Sequence, residues 1–308
     1  MLIHPEDTGV LAKRCRKIFY SSNKRAPLGA DVKRFLLFTT LVFIAVGCAQ
    51  IDKDALGESR TVAAANATTH AGILLATTVV SAPGHTGLGF YDRQKALNGV
   101  RGGGTGAQST DVFSLDNPGF NNDSSTELVL SWGGKRILNG TGIDFIVFEN
   151  AFYQSGDANA RFMDLLIVEV SDDNINYCGF APDYSAVTET NYSNNPAHWQ
   201  NFAGVSPVLY NIENNNLTLQ QLFEDINNDK VPDQGGGDGF DLALLSDSNT
   251  FATGCTMALR DSLRDNGFRY LRLVPASRRI NPDTSAAFVS DAASNGPDID
   301  GVAARYSD

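Results

Sequence analysis

Histidine is scarce in this 308-residue chain, with four in all, and neither an HExxH segment nor a paired His-Cys spacing occurs. The usual zinc-hydrolase patterns are therefore excluded. No GxSxG is present, which removes the esterase nucleophile elbow. The one glycine-rich run, Gly102-Gly103-Gly104-Thr105-Gly106, lacks the Lys of a phosphate loop and no helical period follows it, so it reads as a flexible turn. Basic residues are outnumbered, 24 against 35, and they are unevenly placed. Residues 1–47 hold eight Lys/Arg against three Asp/Glu, leaving 16 basic and 32 acidic residues for the remainder. No basic stripe is left to neutralise phosphates, which excludes nucleic acid as a partner. An acidic body of this kind suits bound cations or neutral ligands, or simply keeps an exported protein soluble.

Long apolar runs are absent but for one. Phe35 to Val46 (FLLFTTLVFIAV) carries no charge, follows Lys33-Arg34 and precedes Gly47-Cys48. A bilayer span needs about 20 apolar residues, so this run is too short to cross. Its length and flanks are those of a signal-peptide core. Ile44-Ala45-Val46-Gly47-Cys48 resembles a lipobox, in which a small residue precedes a cysteine that becomes diacylated. Ala45 stands where Leu is usual, which places the match with the looser spirochaete-type pattern. Cys48 is thus the expected lipidation site, residues 1–47 the signal segment, and residues 48–70 the lipidated cysteine and its tether. Residues 1–31 make an unusually long polar n-region containing Cys15. A start at Val32 would open an ordinary signal peptide, so 1–31 are expected to be a misplaced start. The mature chain is expected in the cell envelope, at the outer membrane or cell surface.

Only four cysteines occur. With Cys15 excluded and Cys48 lipidated, Cys178 and Cys255 remain. They either pair, closing a loop of about 78 residues and stabilising by a few kcal/mol, or stay as two buried thiols.

Charged residues make up 19% and Gly numbers 29, the texture of short strands joined by polar turns. Strands are expected at 73–80, 111–115, 127–132, 143–149, 164–171, 240–245, 268–274 and 299–305. Clusters such as Asn117-Pro118-Gly119, Asn139-Gly140 and Asn194-Asn195-Pro196 separate them. Only 256–265 carries a helical period. No internal repeat is visible. The fold class is therefore all-β, a jelly-roll-like β-sandwich with long polar loops, in a single domain over 71–308.

The segments Asp111–Leu115, Asn139–Asn150 (NGTGIDFIVFEN), Val168–Asp173 (VEVSDD), Gly236–Ala243 (GGDGFDLA) and Pro297–Val302 (PDIDGV) carry a resemblance. Together they resemble a group of bacterial secreted and cell-surface β-sandwich proteins that share DFxVFEN, VEVSxDG, GGDxFDLA and DxDxV motifs. The likeness spans about residues 95–305. With the lipobox, the chain looks like a leptospiral-type lipoprotein of that group. The resemblance implies fold and location rather than activity. Asn174 stands where the hairpin usually has Gly, and Asn tolerates the same left-handed turn.

Three constellations are candidates for chemistry. Asp225, Asn227, Asp229, Val231 (through its carbonyl) and Asp233 fall at positions 1, 3, 5, 7 and 9, the ligand cadence of a calcium loop. Hard oxygen donors suit Ca2+ over zinc or copper. Position 6 is Lys230 rather than Gly and position 12 is Gly236 rather than Glu, leaving Asp238 or Asp241 to substitute; the alternative is a solvated Asn/Asp turn. Glu149, Asp298 and Asp300 form a second set, for a ligand or second metal, or as strand-end caps bonded to backbone amides. Phe152, Tyr153, Tyr184, Tyr192, His198, Trp199 and Phe202 lie among amide side chains, the materials of a sugar-binding surface or of a loop pinned to the core.

The expected function is that of a surface-anchored, non-enzymatic binding or adhesion module with structural calcium, its partners the membrane through the lipid and a glycan or extracellular-matrix ligand. A competing class is a carbohydrate-active enzyme, which needs two of Glu149, Asp241, Asp298 and Asp300 facing a cleft about 5–10 Å apart. A third is a structural envelope lipoprotein without a ligand.

Overall fold

The computed structural model describes residues 73–83, 90–107, 109–115, 126–246, 254–292 and 296–308. The signal core, Cys48, the tether to residue 70, Cys15, His70 and His85 lie outside the described residues. No helix among the described residues is long and apolar enough to cross a membrane.

The strands run β1 (Leu74–Leu75), β2 (Thr78–Ser81), β3 (Phe113–Ser114), β4 (Leu128–Ser131), β5 (Phe145–Glu149), β6 (Phe152–Gln154), β7 (Asp157–Phe162) and β8 (Leu166–Ser171). They continue with β9 (Cys178–Gly179), β10 (Asp183–Tyr184), β11 (Trp199–Gln200), β12 (Asp238–Phe240), β13 (Tyr270–Pro275), β14 (Ile280–Asn281), β15 (Ala286–Ala287) and β16 (Asp298–Ala304). Among the described residues two α-helices interrupt them, α1 (Leu219–Leu222) and α2 (Met257–Asn266). The fold is all-β, as the turn-rich sequence predicts. One five-stranded sheet has the order β1-β16-β5-β12, with β3 also on β16; the other is β2-β4-β13-β8-β9. Every pairing in both is antiparallel.

Strand alternation places one side-chain set of each sheet in a shared core. Phe145 and Val147 of β5 and Ile299, Val302 and Ala304 of β16 join Leu128, Leu130, Val168, Val170, Leu271 and Leu273 of the other sheet. The apolar run in β5 is continuous because both its faces are covered. Ile146 and Phe148 point the opposite way, into a second cluster with Val208, Tyr210, Leu222 and Phe223. Cys178 and Cys255 form a disulfide between residues 77 apart, tying β9 to the segment that leads into α2.

Two expected strands differ. The segment 73–80 is two strands in different sheets, β1 on β16 and β2 on β4. Between them the Ala76 amide donates to Val302 O and the Thr77 amide to Ser131 O, so the chain changes sheets within two residues. The segment 240–245 is strand only to Phe240. Asp241 then accepts from the Ala243 amide at 2.8 Å and starts a 3-10 turn, Leu242–Leu244. The expected helix at 256–265 is α2, capped by the Thr256 hydroxyl, which accepts from the Leu259 amide, and closed by Gly267 at φ 79°. Asn174 holds the left-handed turn at φ 60°.

Candidate functional site

The acids Asp144, Glu149, Asp238, Asp241, Asp298 and Asp300 of the shared motifs lie on or beside β5, β12 and β16, and four of the six accept hydrogen bonds from distant backbone. Asp144 takes the Gly140 amide on Oδ1 and the Leu242 amide on Oδ2, both at 2.7 Å. Asp238, at the start of β12, takes the amides of Gly204, Val205 and Ser206 on one oxygen at 2.8 to 3.3 Å. Asp300 takes the Arg101 amide on both oxygens at 3.0 and 2.9 Å. It reaches that amide because the β16–β5 register shifts between Ile299 and Gly301, so Asp300 is the bulged residue. Glu149 accepts from the Asp298 amide at 3.1 Å on Oε1, and Asp298 accepts from the Ser114 hydroxyl. A carboxylate can accept on both oxygens, so one buried acid closes a loop that a strand ladder cannot reach.

Burial raises five of these acids above the usual carboxylate range. Asp144, Asp238 and Asp298 each sit at about 6 and Asp300 at about 7; backbone amides pull Asp144, Asp238 and Asp300, and the Ser114 hydroxyl pulls Asp298, back toward the charged form. Glu149 is pushed well above its ordinary value by burial, with Asp164, Asp298 and Asp238 adding like charge. It is also the one with an oxygen to spare: Oε2 is buried and has no hydrogen-bond partner.

Of the expected second set, Glu149 and Asp298 are brought together while Asp300 is turned to the Arg101 amide. Among the described residues, Glu149, Asp298 and Asp300 are held in the fold by backbone and hydroxyl donors, and Asp241 caps its own turn.

The calcium-like loop lies exposed between α1 and β12. Asp225 accepts from the Asp229 amide at 3.1 Å and the Lys230 amide at 3.0 Å; Asp229 accepts from the Val231 amide at 2.9 Å, and Asp233 from the Ile226 amide at 2.7 Å. Asn227 bonds Asp229 through its amide nitrogen at 3.1 Å. Lys230 adopts φ 71°, the left-handed conformation that Gly supplies at this position in calcium loops, so the curl forms without Gly. The acids expected to substitute at position 12 accept backbone amides, as the loop acids do. Asp238 is committed to the 204–206 amides, Asp241 to Ala243, and Gly236 is wedged at φ 61° against Pro207 and Leu209. The loop itself offers Asp225, Asn227, Asp229, Asp233 and the Val231 carbonyl. Among the described residues no three His, Cys, Asp or Glu side chains gather closely enough to hold a metal.

The aromatic set is a small core rather than an exposed sugar platform. Tyr184 and Trp199 stack at 3.8 Å, Trp199 meets Phe202 edge-on at 5.3 Å, and Phe202 meets Phe288 at 5.3 Å. Trp199 is only 3% exposed, and its indole N–H donates to Ser193 O at 2.9 Å. Tyr192 packs beside it and donates its hydroxyl to Met163 O at 3.1 Å. Trp199 and Tyr192 thus anchor the 180–209 segment, the second of the two readings of these rings, because flat apolar rings pack where the sheet's outer face needs cover. Phe152 pairs with Phe162 across the β6–β7 hairpin at 4.9 Å, and Arg161 lies over Tyr153. That hairpin was missed by strand patterning. Its signal was Ser155-Gly156, whose φ values of 53° and 81° are those of a two-residue primed turn.

Sequence reasoning also missed a charged cluster on the outer face of the second sheet. Glu169 on β8 stands opposite Arg272 on β13, accepts from it and from Arg279, and Arg272 lies 3.8 Å over the Tyr177 ring. The Gly-rich run 102–106 forms no phosphate loop: the Gly102 amide donates to Tyr210 O and the Gly104 amide to Val208 O. Compared with known protein families, with curated proteins and with solved structures, the chain matches none.

Proposed function

We propose that the chain is a lipid-anchored, extracytoplasmic binding module of the bacterial secreted β-sandwich group, without catalysis of its own. The two five-stranded sheets stack as a jelly-roll-like sandwich in one domain over 71–308, tied to the outer membrane or cell surface through Cys48. The observation that carries the non-enzymatic reading is the commitment of the motif acids to backbone amides. Asp144, Asp238 and Asp300 spend their oxygens closing loops, which leaves few lone pairs for a bound substrate. A polar surface held rigid by such closures suits recognition of an extracellular glycan or matrix protein.

Calcium would serve this module as a structural ion in the loop of Asp225, Asn227, Asp229, Val231 and Asp233. The left-handed Lys230 and the oxygen-lined curl support it, with water or a neighbouring acid completing the coordination. Metal that binds the folded state raises its stability by mass action. EDTA is expected to lower the melting temperature and millimolar Ca2+ to restore it, with Asp225→Asn abolishing the response. An unchanged melt would remove calcium from the proposal. For the module itself, glycan arrays and matrix-protein panels in Ca2+ buffer should return a saturable ligand. Hydrolysis of a glycan by the purified protein, lost on Glu149→Gln, would overturn the reading in favour of an enzyme.

A further inference from the structure

Ser193 and His198 lie half-buried between β10 and β11, at the rim of the aromatic cluster. Ser193 Oγ stands 2.7 Å from His198 Nδ1. The Asn195 amide donates to the same Oγ at 3.2 Å and so occupies one of its lone pairs. Among the described residues, Nδ1 is the one acceptor bonded to that hydroxyl. The hydroxyl proton therefore points at Nδ1, and the ring proton sits on Nε2. Both residues are held in place. Asn195 caps the 3-10 turn Pro196–His198, its Oδ1 accepting from the Ala197 amide at 3.0 Å. The His198 amide donates to Asn195 O at 3.2 Å, and the Ser185 amide donates to His198 O at 3.1 Å. Trp199 follows His198 in the chain, and its indole N–H donates to Ser193 O. One buried ring thus fixes the backbone beside both members, and the contact between them is preorganised.

A serine hydroxyl is a weak nucleophile unless a base takes its proton as it attacks, and a base within hydrogen-bond reach marks an activated one. We propose that Ser193 is an acylation site for small activated carboxylic esters, with His198 as its base. Ser193 Oγ attacks the ester carbonyl carbon and the Oγ–C bond forms. The bond from that carbon to the leaving phenolate oxygen breaks. The hydroxyl proton passes to His198 Nδ1 and from there to the departing oxygen. Among the described residues the His198 ring bonds Ser193 alone, so it has no carboxylate to stabilise the imidazolium as in a full triad. Attack of water on the acyl-serine is therefore slow, and the acyl group stays on the chain. The inference goes beyond the binding-module reading: it adds a modification site without turnover, independent of any glycan, matrix protein or calcium.

The test is incubation of the full chain with para-nitrophenyl acetate, with peptide mass mapping of the acetylated residue over time. Ser193 should carry the acetyl group. Ser155, exposed at the tip of the β6–β7 hairpin with no histidine bonded to it, should stay unmodified although it is the more accessible hydroxyl. This comparison uses the unaltered chain, so it does not depend on any variant folding. Ser193→Ala should abolish the stoichiometric burst of para-nitrophenolate. His198→Gln should slow acetylation of Ser193 at least about a hundredfold with the melting transition retained. An unmodified Ser193, acetylation of Ser155 at a similar rate, or a folded His198→Gln chain that reacts as fast as the parent would each overturn the proposal. Continued release of para-nitrophenolate that is lost on Ser193→Ala would overturn it too, by making the chain an esterase.

Discussion

Asp238 shows how one side chain sets the position of a loop. Its Oδ2 holds three consecutive amides, Gly204 to Ser206, inside the protein where water cannot replace them. Leaving buried amide donors without an acceptor costs roughly 1–3 kcal/mol each. Asp238→Ala is expected to destabilise by about 3 kcal/mol or more, read as a lower urea midpoint with an unchanged slope. Asp238→Asn keeps one acceptor oxygen and should lose less. Glu149 behaves oppositely. Its neutral form is the one its surroundings favour, and Gln keeps the oxygen that the Asp298 amide needs. Glu149→Gln should therefore leave stability at pH 7 unchanged or higher, a result that urea denaturation at pH 7 and pH 5 would check: the gain should shrink at the lower pH.

At the scale of elements, the disulfide, the hairpin and α2 each add a distinct term. The Cys178–Cys255 link closes a 77-residue separation, and loop-closure entropy for that length is worth about 4 kcal/mol. Reduction, or a Cys178→Ala/Cys255→Ala double change, is expected to lower the melting temperature markedly, whereas each single change should be no milder. Thr256→Ala removes the cap of α2 and should cost about 1 kcal/mol. Element type was largely legible in the sequence. The apolar run of β5, the alternation of β8 and β13, and the Thr256-to-Gly267 helix are local patterns. The sheet change at Ala76-Thr77 was not, because β1 and β2 read as one apolar run and only Val302 and Ser131, far along the chain, divide it. The end of β12 at Phe240 was similarly hidden, since the Leu242 amide turns away to meet Asp144.

For the whole molecule, the buried acids give stability an unusual dependence on pH. Asp144, Asp238, Asp298 and Asp300 have folded-state values of about 6 to 7, raised chiefly by burial, against about 3.9 for an unfolded Asp. The folded state therefore binds more protons between these limits. Its extra stability is fully present below about pH 4 and is lost as pH rises through 6 to 7. Asp173 works against this only at the acid end, because its value is lowered by the Asn176 and Ile175 amides. The formal net charge of −11 adds repulsion that acidification relieves. The melting temperature should rise as pH falls from 8 to 5; a fall over that range would contradict the burial of these groups as neutral acids.

What the sequence determined by itself is what short-range chemistry sets: the all-β class, the helix at 256–265, the left-handed turn at Asn174 and the pair of cysteines free to join. Its motif acids were visible as residues but not as roles. Whether a carboxylate faces a ligand or a backbone amide depends on what the chain brings to it from about 100 residues away, as Leu242 comes to Asp144. The burial of Trp199 and the bulge that aims Asp300 were likewise decided only by tertiary structure. Each depends on the packing of segments that no local pattern connects.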